Sequence, residues 1–230
     1  MDFLALCQAL VRKVGISGRI TTTAGQTGEM GDVVGWIDEA WLDLQRKNTN
    51  WDWMRYDFTV NSVAAQRAYA PTACTDVELG SAITSFSKWH KDTLRIYHTA
   101  TGRSSETFLN ELPYKVFRDV YQLATEQSGP PDTFAVRPRD KSLLLGPMPD
   151  GIYTVWGDYQ RAPRSLSGNT DVPDLPEEYH WLIVHLAAQK YATFEAAPEV
   201  LADATTNANR MMDALLETQT EEVELGEPLA

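Results

Sequence analysis

The sequence predicts an α+β protein in which both chain ends form a mainly antiparallel helical bundle around a central β-rich insertion. Three observations carry this. Apolar residues recur at helical spacing over the first 48 residues and again from about Pro176. Between those stretches the apolar period falls to two, and turn residues punctuate short runs. The 230 residues are 43% hydrophobic, enough to bury a substantial core, and no internal repeat breaks the order. The expected boundaries are 1–54 and 174–230 for the bundle and 55–173 for the insertion. An acidic C-terminal arm is expected over about 216–230.

The elements follow in order. Phe3, Leu6, Leu10 and Val14 lie at near-helical spacing, which predicts a helix over 3–14. "VGISGRITTTAGQTGEMG" is rich in Gly and Thr and reads as a long ordered loop. Val33, Ile37, Ala40, Trp41 and Leu44 form one stripe of a helix over 29–48. Both helices end in basic pairs, Arg12–Lys13 and Arg46–Lys47, which suit the negative ends of their dipoles. Tyr56, Phe58 and Val60 then alternate with Arg55, Asp57 and Thr59, as a strand requires. Further strands are expected at 67–70 and 93–99. A short helix is expected over 112–124, with Pro113 in its first turn. After "SGPP" a meander is expected: "TFAVR", "SLLLG" and "IYTVWGDYQR", joined by "PRDK" and "PMPDG". The helical period returns at Pro176, with Ile183, Leu186, Ala187, Tyr191 and Phe194 on one stripe. Pro198 opens a last helix, whose narrow seam is Leu201, Ala204, Ala208, Met211 and Leu215.

The net charge is −12, and its distribution is uneven. Residues 1–164 sum to −1 and residues 165–230 to −11. Such a surface repels phosphate backbones, which argues against a nucleic-acid grip. It is compatible with DNA sliding past without sticking. No run of about 18 apolar residues is present, so no membrane span is expected. Cys7 and Cys74 are the only cysteines; one disulfide between them is the alternative, but two buried thiols of a protein made in a reducing cytoplasm are expected.

Catalytic and ligand signatures are weak. "GQTGEMG" precedes a helix but lacks the Gly-Lys-Ser/Thr ending of a phosphate loop and follows no strand, so it reads as a tight turn feeding the helix. His180 and His185 are five apart, about 140° around a helix. A metal site wants spacings of three or four. Asp38–Glu39 and Glu177–Glu178 are sequence neighbours whose side chains diverge. No nucleophile elbow is present. The expectation is no enzyme, no cofactor and no metal.

Seven tryptophans remain to be explained. "NWDWMRYDF" places Trp51, Trp53, Tyr56 and Phe58 where the helical period gives way to the strand period. Aromatic residues of this kind stack on sugars, seal cores or anchor partners. Because the tryptophans are scattered over helices and strands alike, core or interface roles are favoured over a sugar platform.

The order "VGISGRITTTAGQTGEMGDVVGWIDEAWLDLQ", "WDWMRYDFTV", "LLLGPMPDGIYTVWGDYQRAP" and "DVPDLPEEYHWLIVHLAAQKYA" resembles the head-to-tail adaptor (connector) proteins of tailed bacteriophages, including relatives of tail tubular protein A. The resemblance covers most of the chain. It implies a non-catalytic virion protein of the neck that forms a homo-oligomeric ring, usually twelvefold, beneath the portal protein. It also implies a tail or stopper (neck) protein as partner and double-stranded DNA in a central channel. By the same analogy the C-terminal segment reaches into the portal. Trp36, Trp51, Trp53 and Tyr56 are then the interface candidates in the body of the chain. Leu225 and Leu229 are the candidates in the arm. Trp51 and Trp53 are expected to wedge either the junction with the insertion or a neighbouring subunit. A carbohydrate- or receptor-binding virion module is the alternative.

Overall fold

The computed structural model describes residues 1–122 and 128–219 of the 230. Among them the chain forms α1 (Phe3–Val14), α2 (Glu29–Lys47), β1 (Arg55–Asn61), β2 (Ala68–Tyr69), β3 (Thr75–Asp76), β4 (Ser81–Ala82) and β5 (Lys88–His98). Next come β6 (Thr107–Phe108), β7 (Asn110–Glu111), α3 (Tyr114–Tyr121), β8 (Ser128–Gly129), β9 (Thr133–Val136) and β10 (Leu143–Gly146). The last are β11 (Met148–Pro149), β12 (Tyr153–Gln160), α4 (His180–Phe194) and α5 (Pro198–Thr218).

Five helices and twelve strands in three sheets correct the expectation of a mainly helical bundle built by both chain ends. The fold is mixed α+β, and α5 stops at Thr218, with Gln219 as its C-cap, rather than continuing to the chain end. The physical reason is strand length. Seven of the twelve strands have two residues, too few side chains to show a period of two. The expected strand at 93–99 is the end of an eleven-residue strand, β5. The expected helix at 112–124 is reduced to α3; its residues 123–124 lie outside the described ones.

The chain divides into two compact units. Met1–Met54 and Pro163–Ala230 make the first, and Arg55–Ala162 makes the second. In the first unit, Asp2 caps α1 by accepting from the Ala5 amide at 2.8 Å. Gly15 ends it in the left-handed conformation at φ 76°, donating to the Val11 carbonyl. Leu6 and Leu10 of α1 share one core with Val33, Ile37 and Trp41 of α2, Leu182 and Ile183 of α4, and Leu215 of α5. Helix α4 packs against α1, α2 and α5, so His180, Leu182, Ile183, Val184, Ala187, Ala188 and Ala192 are all buried. The expected single stripe is therefore wrong in detail. Leu186 and Tyr191 are half-buried, and Phe194 is 67% exposed. A helix enclosed on several sides is apolar around most of its circumference, and a one-face pattern cannot describe it.

In the second unit the six-stranded sheet has the order β4-β3-β1-β12-β5-β6. β1 and β12 pair along their length, from Arg55 opposite Gln160 to Asn61 opposite Thr154. A bulge between Trp156 and Asp158 interrupts the β12–β5 ladder. Gly157 sits there because a Cβ would lie 2.8 Å from Leu94 Cδ2. A second sheet runs β2-β10-β9-β7, and β8 and β11 form a two-stranded parallel pair. Phe58, Trp89, Phe134, Leu143, Leu145 and Tyr159 belong to this unit's main core. Among the described residues no helix is long and apolar enough to cross a membrane.

Candidate interaction surfaces

The chain leaves α2 through Asn48, which is extended at φ −132° and ψ 136°. A short 3-10 turn, Asp52–Met54, follows, closed by the Met54 amide on the Trp51 carbonyl at 3.1 Å. Trp51 is thereby turned inward and fully buried. Its indole N–H donates to the Leu44 carbonyl at 3.1 Å. Leu44 lies in the last turn of α2, where carbonyls run out of helical donors. Trp53 is half-buried, with its ring 5.3 Å from Trp41 and 6.0 Å from Trp51, each pair tilted by 31°. The two tryptophans thus join Trp41 in an aromatic group within their own chain. Trp51 presents no surface to a neighbour.

Tyr56 lies in the second unit, half-buried on β1. The Arg161 guanidinium covers its ring at 4.4 Å. Trp36 lies on α2 and meets two aromatics of α4: Tyr191 edge-on at 5.7 Å and Phe194 at 5.6 Å. On the same pair of helices Lys190 bridges Asp43 at 2.7 Å and Glu39 at 3.5 Å. An aromatic patch beside a charged rim is the composition of protein interface centres. The sequence pattern placed Tyr191 and Phe194 inside. The signal that Phe194 is exposed is its position as the last residue of α4, where packing neighbours end.

Leu225, Leu229 and residues 220–230 of the expected arm lie outside the described residues. Of the earlier part of the arm, Leu216 is half-buried against the core of the first unit.

One face of the six-stranded sheet carries a group that sequence reasoning did not single out. Arg95 lies 4.3 Å from the centre of the Phe108 ring and 5.1 Å from that of Trp156. Arg103 lies 4.7 Å from Trp156, whose indole N–H donates to Glu106 at 2.6 Å. Arg55 holds Asp158 at 2.7 Å, and Asp57 stands directly opposite Asp158 in the ladder. Partial burial raises the Asp57 pKa, and the facing Asp158 carboxylate raises it further, while Arg55 and Arg103 oppose the shift. The signal available in the sequence was the alternation of charged with apolar residues along β1. The partners from β5, β6 and β12 come from 38 or more residues away, counted from Asp57 to Arg95.

Of the seven tryptophans, Trp41, Trp51 and Trp89 are buried, Trp36, Trp53 and Trp156 half-buried, and Trp181 44% exposed. No row of adjacent, fully exposed indoles is therefore presented by the described residues. Nor do they contain a group of three or more His, Cys, Asp or Glu able to hold a metal ion. His180 donates through Nε2 to the Leu175 carbonyl at 2.9 Å, and burial lowers its pKa, which favours the neutral ring. Cys7 and Cys74 are free and buried, and burial pushes both thiols up to about 12.

The sequence model of the SU10 adaptor protein family matches residues 1–228. No curated protein matches the chain. The chain belongs to the SU10 adaptor protein family, and is a structural adaptor of the phage virion.

Proposed function

From membership of the SU10 adaptor protein family, we propose that the chain works as a closed ring, twelvefold, in the neck of the virion. The ring sits beneath the portal protein, meets a tail or stopper protein on its other side, and passes the genome through its channel during packaging and ejection. This extends to the present chain the architecture of the connector relatives of tail tubular protein A. The single observation that carries the reading is the family match over residues 1–228.

Two physical features support it. A ring closes through heterologous contacts, in which one surface of a subunit meets a different surface of the next. The Trp36–Tyr191–Phe194 patch and the Arg95–Trp156–Phe108 face are two such unlike surfaces. The charge is also segregated. Residues 55–162 sum to zero, so the whole net charge of −12 belongs to the first unit. A channel wall drawn from that unit would repel DNA phosphates and let the duplex slide.

The test is absolute mass by light scattering, on the protein alone and after mixing with the portal protein of the same virus. The expected result is a particle of about 310 kDa, twelve chains of 25.8 kDa, or a stoichiometric complex with the portal. A monomer that ignores the portal would overturn the reading. A glycan array would then test the carbohydrate- or receptor-binding alternative.

A further inference from the structure

The second unit sums to zero charge, yet a cavity of about 340 Å³ beside β5 is lined by three lysines, Lys88, Lys91 and Lys141, and among the described residues by no acid. The rest of its lining is mainly apolar: Val136, with Phe86 and Trp89, whose ring centres are 4.5 Å apart. Local structure holds this cavity in shape. The Trp89 indole N–H donates to the Lys141 carbonyl at 2.8 Å, and the Lys141 amide donates to the Arg137 carbonyl at 2.9 Å. That turn sets Lys141 at φ 59°. A lysine there carries strain that glycine would avoid, and strain of this kind collects at functional sites. The nearby acids are engaged, Asp140 by Arg137 at 3.0 Å and Glu111 by Lys91 at 2.5 Å. Lys141 makes no ion pair among the described residues.

A surface of matching chemistry lies on the first unit, at the corner between α4 and α5. Phe194, the last residue of α4, is 67% exposed, and Glu195 and Glu199 near it in sequence are exposed too. The corner is fixed by its own backbone. The Glu195 and Ala197 amides donate to the Tyr191 and Ala192 carbonyls, each at 2.9 Å, and Ala196 turns the chain at φ 51°. Residues 191–209 carry three acids and no base, and of the three Asp203 is held by Lys13 at 2.7 Å. We infer that the lysine-lined cavity receives this corner from a second copy of the chain. Phe194 enters against Phe86 and Trp89, and Glu195 and Glu199 meet Lys91 and Lys141. An aromatic ring between two carboxylates is the complement of an aromatic lining between ammonium groups. The phosphate backbone of DNA would answer the lysines but offers nothing apolar to the rings. Corner of one copy into cavity of the next is a heterologous contact, the kind that closes a ring. The inference deepens the ring reading and rests on it.

The experiment uses two full-length variants, K91E/K141E with a reversed cavity and E195K/E199K with a reversed corner. Each alone is expected to self-associate at least about tenfold more weakly than the parent in sedimentation velocity, because like charges then face each other. An equimolar mixture is expected to recover association. The acidic corner of the first variant meets the lysine cavity of the second, and the lysine corner of the second meets the glutamate cavity of the first. Recovery also shows that both variants are folded. A cross-linking arm maps the contact. Phe194 is replaced by p-benzoylphenylalanine in the full chain, half of the copies are isotope-labelled, and the mixture is irradiated with and without the portal protein. Mixed-isotope cross-links to peptides holding 86–91 or 136–141 are expected. Weakened variants that stay apart when mixed overturn the inference, as do cross-links that fall elsewhere, within single chains or on the portal protein. Rings of normal strength from both variants overturn this contact and leave the ring reading standing. A parent chain that remains monomeric and uncross-linked with and without the portal removes both.

Discussion

Replacing Trp51 tests whether this residue works inside its own chain. The side chain is fully buried and donates to the Leu44 carbonyl at 3.1 Å. Trp51→Ala empties a large space beside Trp53 and is expected to cost about 3–5 kcal/mol. At about 2–4 °C per kcal/mol for a chain of this size, the melting temperature falls by about 6–20 °C. Trp51→Phe separates the two contributions. The ring volume is largely kept, but the Leu44 carbonyl loses its indole donor, at about 1–3 kcal/mol. Urea unfolding followed by far-UV circular dichroism gives the totals. Hydrogen exchange on peptides from 29–47 localises the effect, which should concentrate in the last turn of α2. Light scattering on Trp51→Phe supplies the control, because a residue with no exposed surface should leave assembly stoichiometry unchanged. If Trp51→Ala unfolds within about 1 kcal/mol of the parent chain, or if the α2 amides keep their protection, the internal role is refuted.

Other perturbations address the surfaces and the second unit. Phe194→Ser should change stability by no more than about 0.5 kcal/mol, as for exposed sites. It should nonetheless weaken self-association at least about tenfold in sedimentation experiments if the Trp36 patch is a subunit contact. Asp57→Asn tests the facing carboxylates. An acid whose folded pKa is raised favours the folded state at low pH, and that contribution disappears as pH rises from the unfolded carboxylate value through the folded one. The variant should therefore gain about 0.2–1 kcal/mol over the parent at neutral pH, with the advantage shrinking in acid; an advantage that grows in acid would contradict the geometry. Tyr159→Phe removes the hydroxyl that donates to buried Asp76 at 2.6 Å, leaving the Leu79 amide on the other carboxylate oxygen. A loss of about 1–3 kcal/mol in urea titrations is expected. Cys7 and Cys74 should resist Ellman's reagent in the native protein and react on unfolding, since burial pushes both thiols up to about 12.

Much was legible in the sequence where the interaction is local. Helix α1 begins at Asp2 and ends at Gly15 because a carboxylate can cap an amide three residues on and glycine can take a positive φ. The stripe Val33, Ile37, Ala40, Trp41 and Leu44 is buried as its spacing requires, since one face of a helix repeats every 3.6 residues. The alternation in β1 likewise puts Phe58 and Val60 inside. That the chain is a phage adaptor could be read from the order of the segments, which spans most of the chain, whereas the family matched is the SU10 adaptor protein family and not one of tail tubular protein A.

Other properties were settled only by tertiary structure. Among the two-residue strands, β2, β3, β6 and β7 each lie beside a longer strand that supplies hydrogen bonds, and so few side chains leave no period to read. Helix α4 is buried on several sides because three helices surround it, a matter of topology rather than of its own pattern. "NWDWMRYDF" announces four aromatics but not their directions. The turn after Asn48 sends Trp51 and Trp53 back toward α2, while Tyr56 goes out along β1 under Arg161. Lys91 and Lys141 line one cavity only because the Trp89 indole ties the turn before β10 back to β5. Periodicity reports the face an element buries against its nearest layer. Which distant side chains complete that layer depends on chain crossings that no local spacing encodes.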